Sequence, residues 1–383
     1  MTPGETQTTL ASISSLSPPD AVINEVHFSS NNPAVIAYPA APADADSTFS
    51  YTNTATALAP GTADLTATVH ATSTGYNHVT ACIDTQTVSV VEPDPWWQVR
   101  DADVLSEGDL TDPISSTATN PYFNLAGAGG YPGIPILNGT ASFGNGSVSQ
   151  IPPFGWIVNS ATSFSGTSAN PIYGYNFLKN LAPTEVRNCT GSSNGCIPAG
   201  DTIPAGNLLL AGFNSGGYTW RRALGDLRIH GTGNINNNKM VVLVEGNLYL
   251  GYNNLTPTNT RINLNDGQGF VAFIVKGNII ISEEVASAGD SVGVGDINGS
   301  PGLEGIYMAD GTISTGHFSA GADYQLRIRG MLIGWGGITF QRDLGGSGNG
   351  TQPSEYIQYA PDLQFTYPAR LGVLKLRWNE VAP

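Results

Sequence analysis

The segment VVLVEGNLYL (Val241–Leu250) decides the fold, because two short apolar runs meet there at a Gly-Asn pair. The segment VAFIVKGNIII (Val271–Ile281) repeats the same order of apolar run, Gly-Asn and apolar run. Short apolar runs bounded by Gly and Asn are typical of buried strands that are joined by tight bends. The two copies therefore predict a structure in which strands recur at a fixed bend.

The tripeptide Gly-(Asn/Asp)-(Leu/Ile) recurs more often than the composition would give by chance. We interpret each copy as a corner where Gly and Asn supply a positive φ at low cost. Strands that bend at a fixed position can stack over a shared core, so the repeat predicts a right-handed parallel β-helix. The alternative is an antiparallel sandwich with Asn-Gly hairpins. The copies begin at Gly108, Gly206, Gly225, Gly233, Gly246, Gly277 and Gly295.

The composition predicts an all-β protein that does not bind nucleic acid. Only 12% of the residues are charged, whereas the chain has 47 Gly and 25 Pro. Residues that favour exposed helix faces are therefore scarce, and residues of strands and turns are common. The net charge of −15 argues against contacts with phosphate, which require clustered Lys and Arg. No apolar run is long enough to span a membrane.

Shifts in composition divide the chain into four predicted segments. Residues 1–20, rich in Thr, Ser and Pro, are expected to be a flexible lead-in, and 21–92 a small β-sandwich of alternating strands. Residues 93–205 are expected to be a linker followed by an irregular cap or insertion rich in Gly, Pro and aromatic residues. Residues 206–383 are expected to form the parallel β-helix with a C-terminal capping segment.

The segment 21–92 resembles bacterial Ig-like domains of the second group. The residues that carry the resemblance are FSSNNPAV (Phe28–Val35), TATALAPGTA (Thr54–Ala63) and TVSV (Thr87–Val90). The segment lacks a clear first strand of that family, so the domain is either truncated or completed by a borrowed strand. The resemblance implies a spacer or adhesin repeat on a bacterial surface and no catalysis.

Residues 96–383 are similar to the β-helix regions at the C-terminal end of uncharacterised surface proteins from candidate-phylum bacteria. The similar motifs are WWQV (Trp96–Val99), LEGIYMADG (Leu303–Gly311), GGITFQRDL (Gly336–Leu344) and WNEVAP (Trp378–Pro383). This resemblance implies no particular activity.

The cysteines point to an oxidising compartment. Cys189 and Cys196 flank a short polar loop, which predicts a disulfide and therefore an extracellular location at the cell surface. Cys82 is left over and is expected to be a small buried residue.

An acidic cluster follows the linker. Oxygen ligands at alternate positions of a loop suit Ca²⁺, which is the only cofactor that the sequence suggests. The alternative is a group of solvated acids at a domain junction. The predicted metal ligands are Asp101, Asp103, Glu107 and Asp109, and Asp112 lies beside them.

Aromatic residues crowd the non-repeating segment and its edge. Such residues can form platforms that bind glycans or partner proteins, and the alternative is that they fill the core of the cap. The predicted binding residues are Trp156, Tyr173, Tyr175, Tyr218 and Trp220.

Charged residues of the repeat region are the remaining candidates for chemistry. Carboxylates on neighbouring strands could act as the acid and base of a glycosidase, or could form a ladder of ion pairs on a solvated face. The histidines have no metal-ligand spacing, and a lone histidine is more often structural. The charged set is Arg327, Arg329, Arg342, Glu304, Asp310, Asp323 and Asp343, and the histidines are His27, His70, His78, His230 and His317.

The sequence as a whole predicts a non-catalytic, extracellular structural or adhesive protein, with an Ig-like spacer that carries a β-helix head. Glycans or other surface proteins are its expected partners, and the sequence is compatible with an oligomer. One alternative is a β-helix enzyme that acts on carbohydrates as a polysaccharide lyase or glycoside hydrolase. Another is a subunit of an extracellular filament, assembled by donation of an N-terminal strand to a neighbour.

Overall fold

A computed structural model of the chain describes residues 1, 3–12, 22–39, 50–73, 76–100, 102–113, 123–124, 135–137, 139–143, 158–159, 166–167, 170–171, 173–191, 195–265, 267–286, 300–318 and 322–372. Strands account for 50% of the residues and helices for 9%, so the predicted all-β class is confirmed. None of the helices in these ranges is long and apolar enough to cross a membrane. The described residues form two units, which we call unit 1 (residues 1–94 and 345–351) and unit 2 (the remainder).

The described strands, in chain order, are β1 (Thr6–Ser12), β2 (Val22–Ser30), β3 (Ile36–Ala37), β4 (Ser50–Ala57), β5 (Gly61–Ser73), β6 (Tyr76–Val90), β7 (Trp97–Arg100), β8 (Val104–Ser106), β9 (Leu110–Asp112), β10 (Phe123–Asn124), β11 (Pro135–Leu137), β12 (Ala141–Phe143), β13 (Val158–Asn159), β14 (Gly166–Thr167), β15 (Asn170–Pro171), β16 (Cys196–Ile197), β17 (Asp201–Pro204), β18 (Phe213–Ser215), β19 (Tyr218–Ala223), β20 (Leu227–Asn236), β21 (Lys239–Val244), β22 (Leu248–Leu250), β23 (Tyr252–Asn253), β24 (Thr256–Pro257), β25 (Thr260–Leu264), β26 (Phe270–Val275), β27 (Ile279–Ile281), β28 (Leu303–Ala309), β29 (Ile313–Ser314), β30 (Leu326–Gly334), β31 (Ile338–Thr339) and β32 (Glu355–Gln358). The helices are α1 (Tyr175–Leu181), α2 (Thr184–Arg187), α3 (Gly346–Thr351) and α4 (Asp362–Phe365), with a 3-10 turn at Ala205–Asn207.

Unit 1 contains two antiparallel sheets, with strand orders β1-β4-β3 and β2-β5-β6. Val26 of β2, Tyr51 of β4 and Val69 of β5 form one buried cluster, so residues of both sheets share this core. The alternation of buried and exposed residues follows from the strand, because successive side chains point to opposite faces.

The predicted lead-in contains the edge strand β1. It pairs antiparallel with β4 in an unbroken register from Thr6↔Thr56 to Ser12↔Ser50. Thr residues favour this strand because their branched side chains fit a pleated surface. The N-terminal segment, which was expected to be flexible or available for donation, is therefore paired within its own chain from Thr6 to Ser12.

Unit 2 is built from three columns of parallel strands in its described part. Column one runs β16-β19-β21-β26-β28-β30, and column two runs β17-β20-β22-β27-β29-β31. Column three joins the second half of β20 to β25, β28, β30, β32 and β7. We call one passage of the chain through columns one, two and three a layer. The predicted division at residue 205 falls inside this arrangement, since β16 and β17 pair directly with β19 and β20.

The middle strands of column one, β21 and β26, are buried on both faces. Every residue of β26 is buried, as is all of β21 except Lys239. Strands buried on both faces have near-continuous apolar sequences, which explains the runs that open the repeat. The main core cluster also includes Tyr175 and Leu178 of α1, and Leu363 and Leu371 near the C-terminal end of the described chain.

Asn and Asp side chains link the layers at the corner between columns one and two. The Asp226 Oδ1 accepts a hydrogen bond from the Asn247 backbone N–H, and the Asn247 Oδ1 accepts one from the Asn278 N–H, each at 2.8 Å. The Asn278 Oδ1 accepts from both the N–H (2.8 Å) and the Oγ1 (3.1 Å) of Thr312. We call these four residues the Asx ladder, and it connects four successive layers.

Two corner glycines, Gly246 and Gly277, are needed for space, and the predicted reason, a positive φ, is wrong for them. Neither Gly246 nor Gly277 has a positive φ. A Cβ on Gly246 would lie 2.2 Å from the Asp226 Oδ1, and one on Gly277 would lie 2.5 Å from the Asn247 Oδ1. Gly is therefore required because each Asx side chain lies against the backbone of the next corner.

The same corner occurs outside the region where the repeat was concentrated. The Asp109 Oδ1 accepts hydrogen bonds from the N–H (2.7 Å) and Oγ1 (2.8 Å) of Thr140. The strands on either side pair in parallel, β8 with β11 and β9 with β12. A search of the sequence for Gly followed by Asn, Asp or Thr would have found this corner at Gly139-Thr140. The segment 93–205 thus contains parallel strand pairs that are joined by a corner of the same kind.

We expect Asn278→Ala to lower the free energy of unfolding of unit 2 by about 1 kcal/mol, because two donors of Thr312 lose their acceptor at a site that water can reach. Asn278→Asp keeps an acceptor oxygen, as Asp226 does in the same ladder, and should stay within about 0.5 kcal/mol of the wild type. Urea denaturation of both variants measures the difference. Equal losses in the two variants would contradict a role for the side-chain oxygen.

Candidate functional site

The three described residues of the acidic cluster that was predicted to bind Ca²⁺ do not converge. Asp101 lies outside the described residues, and Asp103, Glu107 and Asp109 are exposed. Within the described part of the chain, these three do not bring three ligand atoms within 4.8 Å of one another. Asp109 belongs to a corner, and hydrogen bonds from Thr140 lower the pKa of its carboxyl.

Asp112, beside that cluster, has a different environment. It is fully buried, and its Oδ1 accepts a hydrogen bond from the Trp97 N–H at 3.2 Å. Burial raises the pKa of the Asp112 carboxyl well above its usual value. This hydrogen bond holds the first residue of β7 in place, so Asp112 has a structural role.

The predicted aromatic platform is divided between core and surface. Tyr175 and Trp220 are buried, with 0% and 1% of their surface exposed. Tyr218 is half-buried and donates a hydrogen bond to the Thr366 carbonyl at 2.7 Å. Tyr173 is 42% exposed, and Trp156 lies outside the described residues. Among the described members of the set, Tyr173 is therefore the one that offers an exposed ring.

The carboxylates proposed for acid–base chemistry each hold a different part of the backbone. Glu304 is buried, and its Oε2 accepts from the Leu264 N–H at 2.5 Å, while its Oε1 lies 3.4 Å from Arg329 Nη1. The Asp310 Oδ1 accepts from the Tyr175 N–H at 2.7 Å, which joins α1 to column one. Both carboxylates therefore hold backbone segments of the fold in position.

Arg342 lies at the centre of a buried cluster of polar groups in unit 2, which we call the Arg342 node. Its guanidinium is 1% exposed and donates to the carbonyls of Thr315 (3.0 Å), Val285 (2.8 Å), Tyr324 (2.9 Å) and Ser282 (2.6 Å). Burial lowers the pKa of Arg342 to about 10. A planar guanidinium has enough donors to satisfy four buried carbonyls at once, which a lysine cannot do. The node therefore ties backbone groups from two segments, one between β27 and β28 and one between β29 and β30, to one side chain.

Two buried carboxylates complete this node. The Glu355 Oε1 accepts from Thr315 Oγ1 (2.7 Å) and from the Arg342 N–H (2.9 Å). Burial raises the pKa of the Glu355 carboxyl, and these hydrogen bonds act in the opposite direction. The Asp323 Oδ2 accepts from the Asp343 N–H and contacts His317 Nδ1, both at 2.7 Å. Sequence analysis singled out Arg342 and Asp323 but missed Glu355, whose burial depends on long-range pairing.

A second charged group anchors the short helices. Glu245 Oε1 lies 3.0 Å from Lys179 Nζ of α1 and 2.6 Å from Arg222 Nη2 of β19. Arg222 also donates to the Arg187 carbonyl at the end of α2. Cys189 and Cys196, just beyond α2, are joined by a disulfide. These contacts attach the segment before β16 to column one.

Two of the histidines that are scattered in the sequence lie together in unit 1. His27 of β2 and His70 of β5 have ring centroids 5.6 Å apart. Glu25 lies beside them, with its Oε1 3.1 Å from His27 Nε2. The Glu-x-His spacing places two of these side chains on one strand face, but the partner strand cannot be found from spacing alone.

Compared with protein-family models, with curated proteins and with solved structures, the chain gives no match in any of the three comparisons.

Proposed function

We propose that the chain is a non-catalytic structural or adhesive protein of the cell exterior, in which an Ig-like spacer carries a right-handed parallel β-helix. The observation that carries the proposal is the use of the buried charged side chains. Arg342, Glu355, Asp323 and Glu304 are all directed at backbone groups that they hold in place. A protein whose role requires a rigid stack of layers uses its charged side chains in this way.

The parallel columns support the β-helix part of the proposal. Successive layers repeat the order of column one, corner, column two and column three, and the Asx ladder joins them. Stacked layers give long-lived stability, because each layer buries its apolar face against the next one. Such a stack suits a protein that must hold its shape outside the cell.

The disulfide supports an exported location. Disulfides persist in oxidising compartments and are rare in a reducing cytosol. The bond between Cys189 and Cys196 predicts one free thiol among the three cysteines. Thiol titration of the denatured, non-reduced protein from its natural source, together with proteolysis of intact cells, tests the location. Three free thiols and resistance to added protease would contradict it.

The filament alternative is less well supported. Donation of the N-terminal segment to a neighbour would first have to break the register of β1 with β4 in the same chain. Gel filtration over a wide range of protein concentrations separates the two proposals. Growth of assemblies that is lost when residues 1–12 are deleted would favour the filament.

The decisive experiment is a screen of the full chain for glycan binding and glycan cleavage. We expect binding, where it occurs, without release of reducing ends or unsaturated products. Tyr173→Ala tests the exposed aromatic residue, and the heat-unfolded chain is the control for non-specific adsorption. Cleavage that rises with protein concentration and is lost in Glu304→Gln would favour the carbohydrate-active enzyme instead.

A further inference from the structure

We propose that Glu25, His27 and His70 bind a divalent transition-metal ion, best matched by Zn²⁺, on the outer face of the β2–β5 pair in unit 1. This site goes beyond the proposed function, which requires no metal. Within the described residues, these side chains are the group of three whose candidate ligand atoms all lie within 4.8 Å of one another.

The strands place the three side chains on one face. In β2, Val26 is fully buried between Glu25 and His27, so the two flanking side chains point the other way. In β5, the neighbours Val69 and Ala71 are both buried, which directs His70 to that same outer side.

The register brings the two strands together at this point. Glu25 is the direct cross-strand partner of His70, and an irregularity in β2 follows Ile23 just before this pair. Directly opposed side chains have Cβ atoms about 4.5–5.5 Å apart, and diagonal pairs about 7–8 Å apart. His27 is the diagonal neighbour of His70, so all three side chains reach a common point above the sheet.

The distances are close to those of a metal site. Ligand atoms of a tetrahedral zinc ion are roughly 3.4 Å apart when each lies about 2.0–2.1 Å from the metal. The Glu25 Oε1 and His27 Nε2 are 3.1 Å apart, and all three ligand atoms lie within 4.8 Å of one another. Side-chain rotations alone can therefore contract the group around an ion, without movement of the backbone.

The ligand types select the metal. Two imidazoles and one carboxylate are ligands that Zn²⁺ accepts, whereas Ca²⁺ and Mg²⁺ prefer oxygen ligands throughout. The side chains of His27 and Glu25 are 50% and 43% exposed, so an ion can enter from solvent. Three protein ligands leave one position open for water or for a group from another molecule.

Calorimetric titration of the tag-free full chain with ZnCl₂ tests the proposal. We expect one saturable site per chain, and His27→Gln and His70→Gln should each weaken it by about tenfold or more, since loss of outer-shell contacts alone costs that much. His230→Gln, in β20 of unit 2, is the matched control and should bind as the wild type does.

Histidine ring resonances in the NMR spectrum give a second measurement. We expect Zn²⁺ to shift the signals of His27 and His70 and to leave those of His230 and His317 in place. If His70→Gln fails to fold, His27→Gln carries the test, because its ring is half exposed. Binding that does not saturate, or that survives both substitutions unchanged, would overturn the proposal.

Discussion

Arg342→Met is expected to lower the free energy of unfolding of unit 2 by about 3–5 kcal/mol. The substitution removes the donors of four buried carbonyls, those of Thr315, Val285, Tyr324 and Ser282. It also removes the guanidinium charge that stabilises the buried Glu355 carboxylate electrostatically. Both losses occur where water cannot replace the missing partner.

Tryptophan fluorescence during chemical denaturation measures this effect in unit 2 alone, because all six tryptophans lie outside the residues of unit 1. Arg228→Met is the matched control. The Arg228 guanidinium lies 4.8 Å from the centroid of the Tyr249 ring at the surface, so its loss should cost about 1 kcal/mol or less. Arg342→Lys should fall between the two. A fully stable Arg342→Met variant would show that the node is not essential to the stack.

Gly277→Ala should destabilise unit 2 by about 2–3 kcal/mol, since the added Cβ overpacks a corner that has no room. The new atom would lie 2.5 Å from the Asn247 Oδ1 and 2.7 Å from the Gly246 carbonyl oxygen. The second of these is a backbone atom that is fixed by its own layer, so relief requires the layers to separate. The same fluorescence measurement reports the change.

Gly108→Ala is the control from the same sequence motif. A Cβ at Gly108 meets nothing within 4 Å, because no Asx side chain of a preceding layer lies against it. Its stability should therefore stay within about 0.5 kcal/mol of the wild type. If the motif required glycine for its backbone conformation, both substitutions would be equally harmful, and that result would refute the steric explanation.

The sequence predicts the strands and their corners well where local residues decide the outcome. Apolar runs on either side of Gly246-Asn247 and Gly277-Asn278 become columns one and two, because burial on both faces demands such runs. The reason for the glycine was not predictable from one layer alone. It depends on Asn247 in the layer before Gly277, which only the stacking brings near.

The long-range pairing of strands could not be predicted from the sequence. Nothing in Trp97–Arg100 indicates Glu355–Gln358 as its partner, and nothing in Glu25-x-His27 indicates His70. The period of a strand fixes which side a residue takes, but the choice of partner depends on the packing of the whole sheet. The candidate metal ligands and the buried Glu355 were missed for this reason.

The pairing of β7 with β32 also affects how the chain folds during synthesis. β7 is the first described strand of unit 2 to leave the ribosome. Its partner on one side is β10, and its partner on the other is β32, the last described strand of the unit. The Trp96 carbonyl receives hydrogen bonds from Ser354, 258 positions further along the chain. Closing so long a segment carries an entropic cost that local contacts cannot offset, so it slows folding.

Trp96 and Trp97 are both buried in the finished fold, so the nascent chain must keep them from premature contacts until β32 has been made. A chain truncated before residue 355 lacks the strand that pairs with one edge of β7, which leaves an open sheet edge that chaperones and proteases can bind. One edge of β7 is thus covered only when β32, far along the chain, has been made.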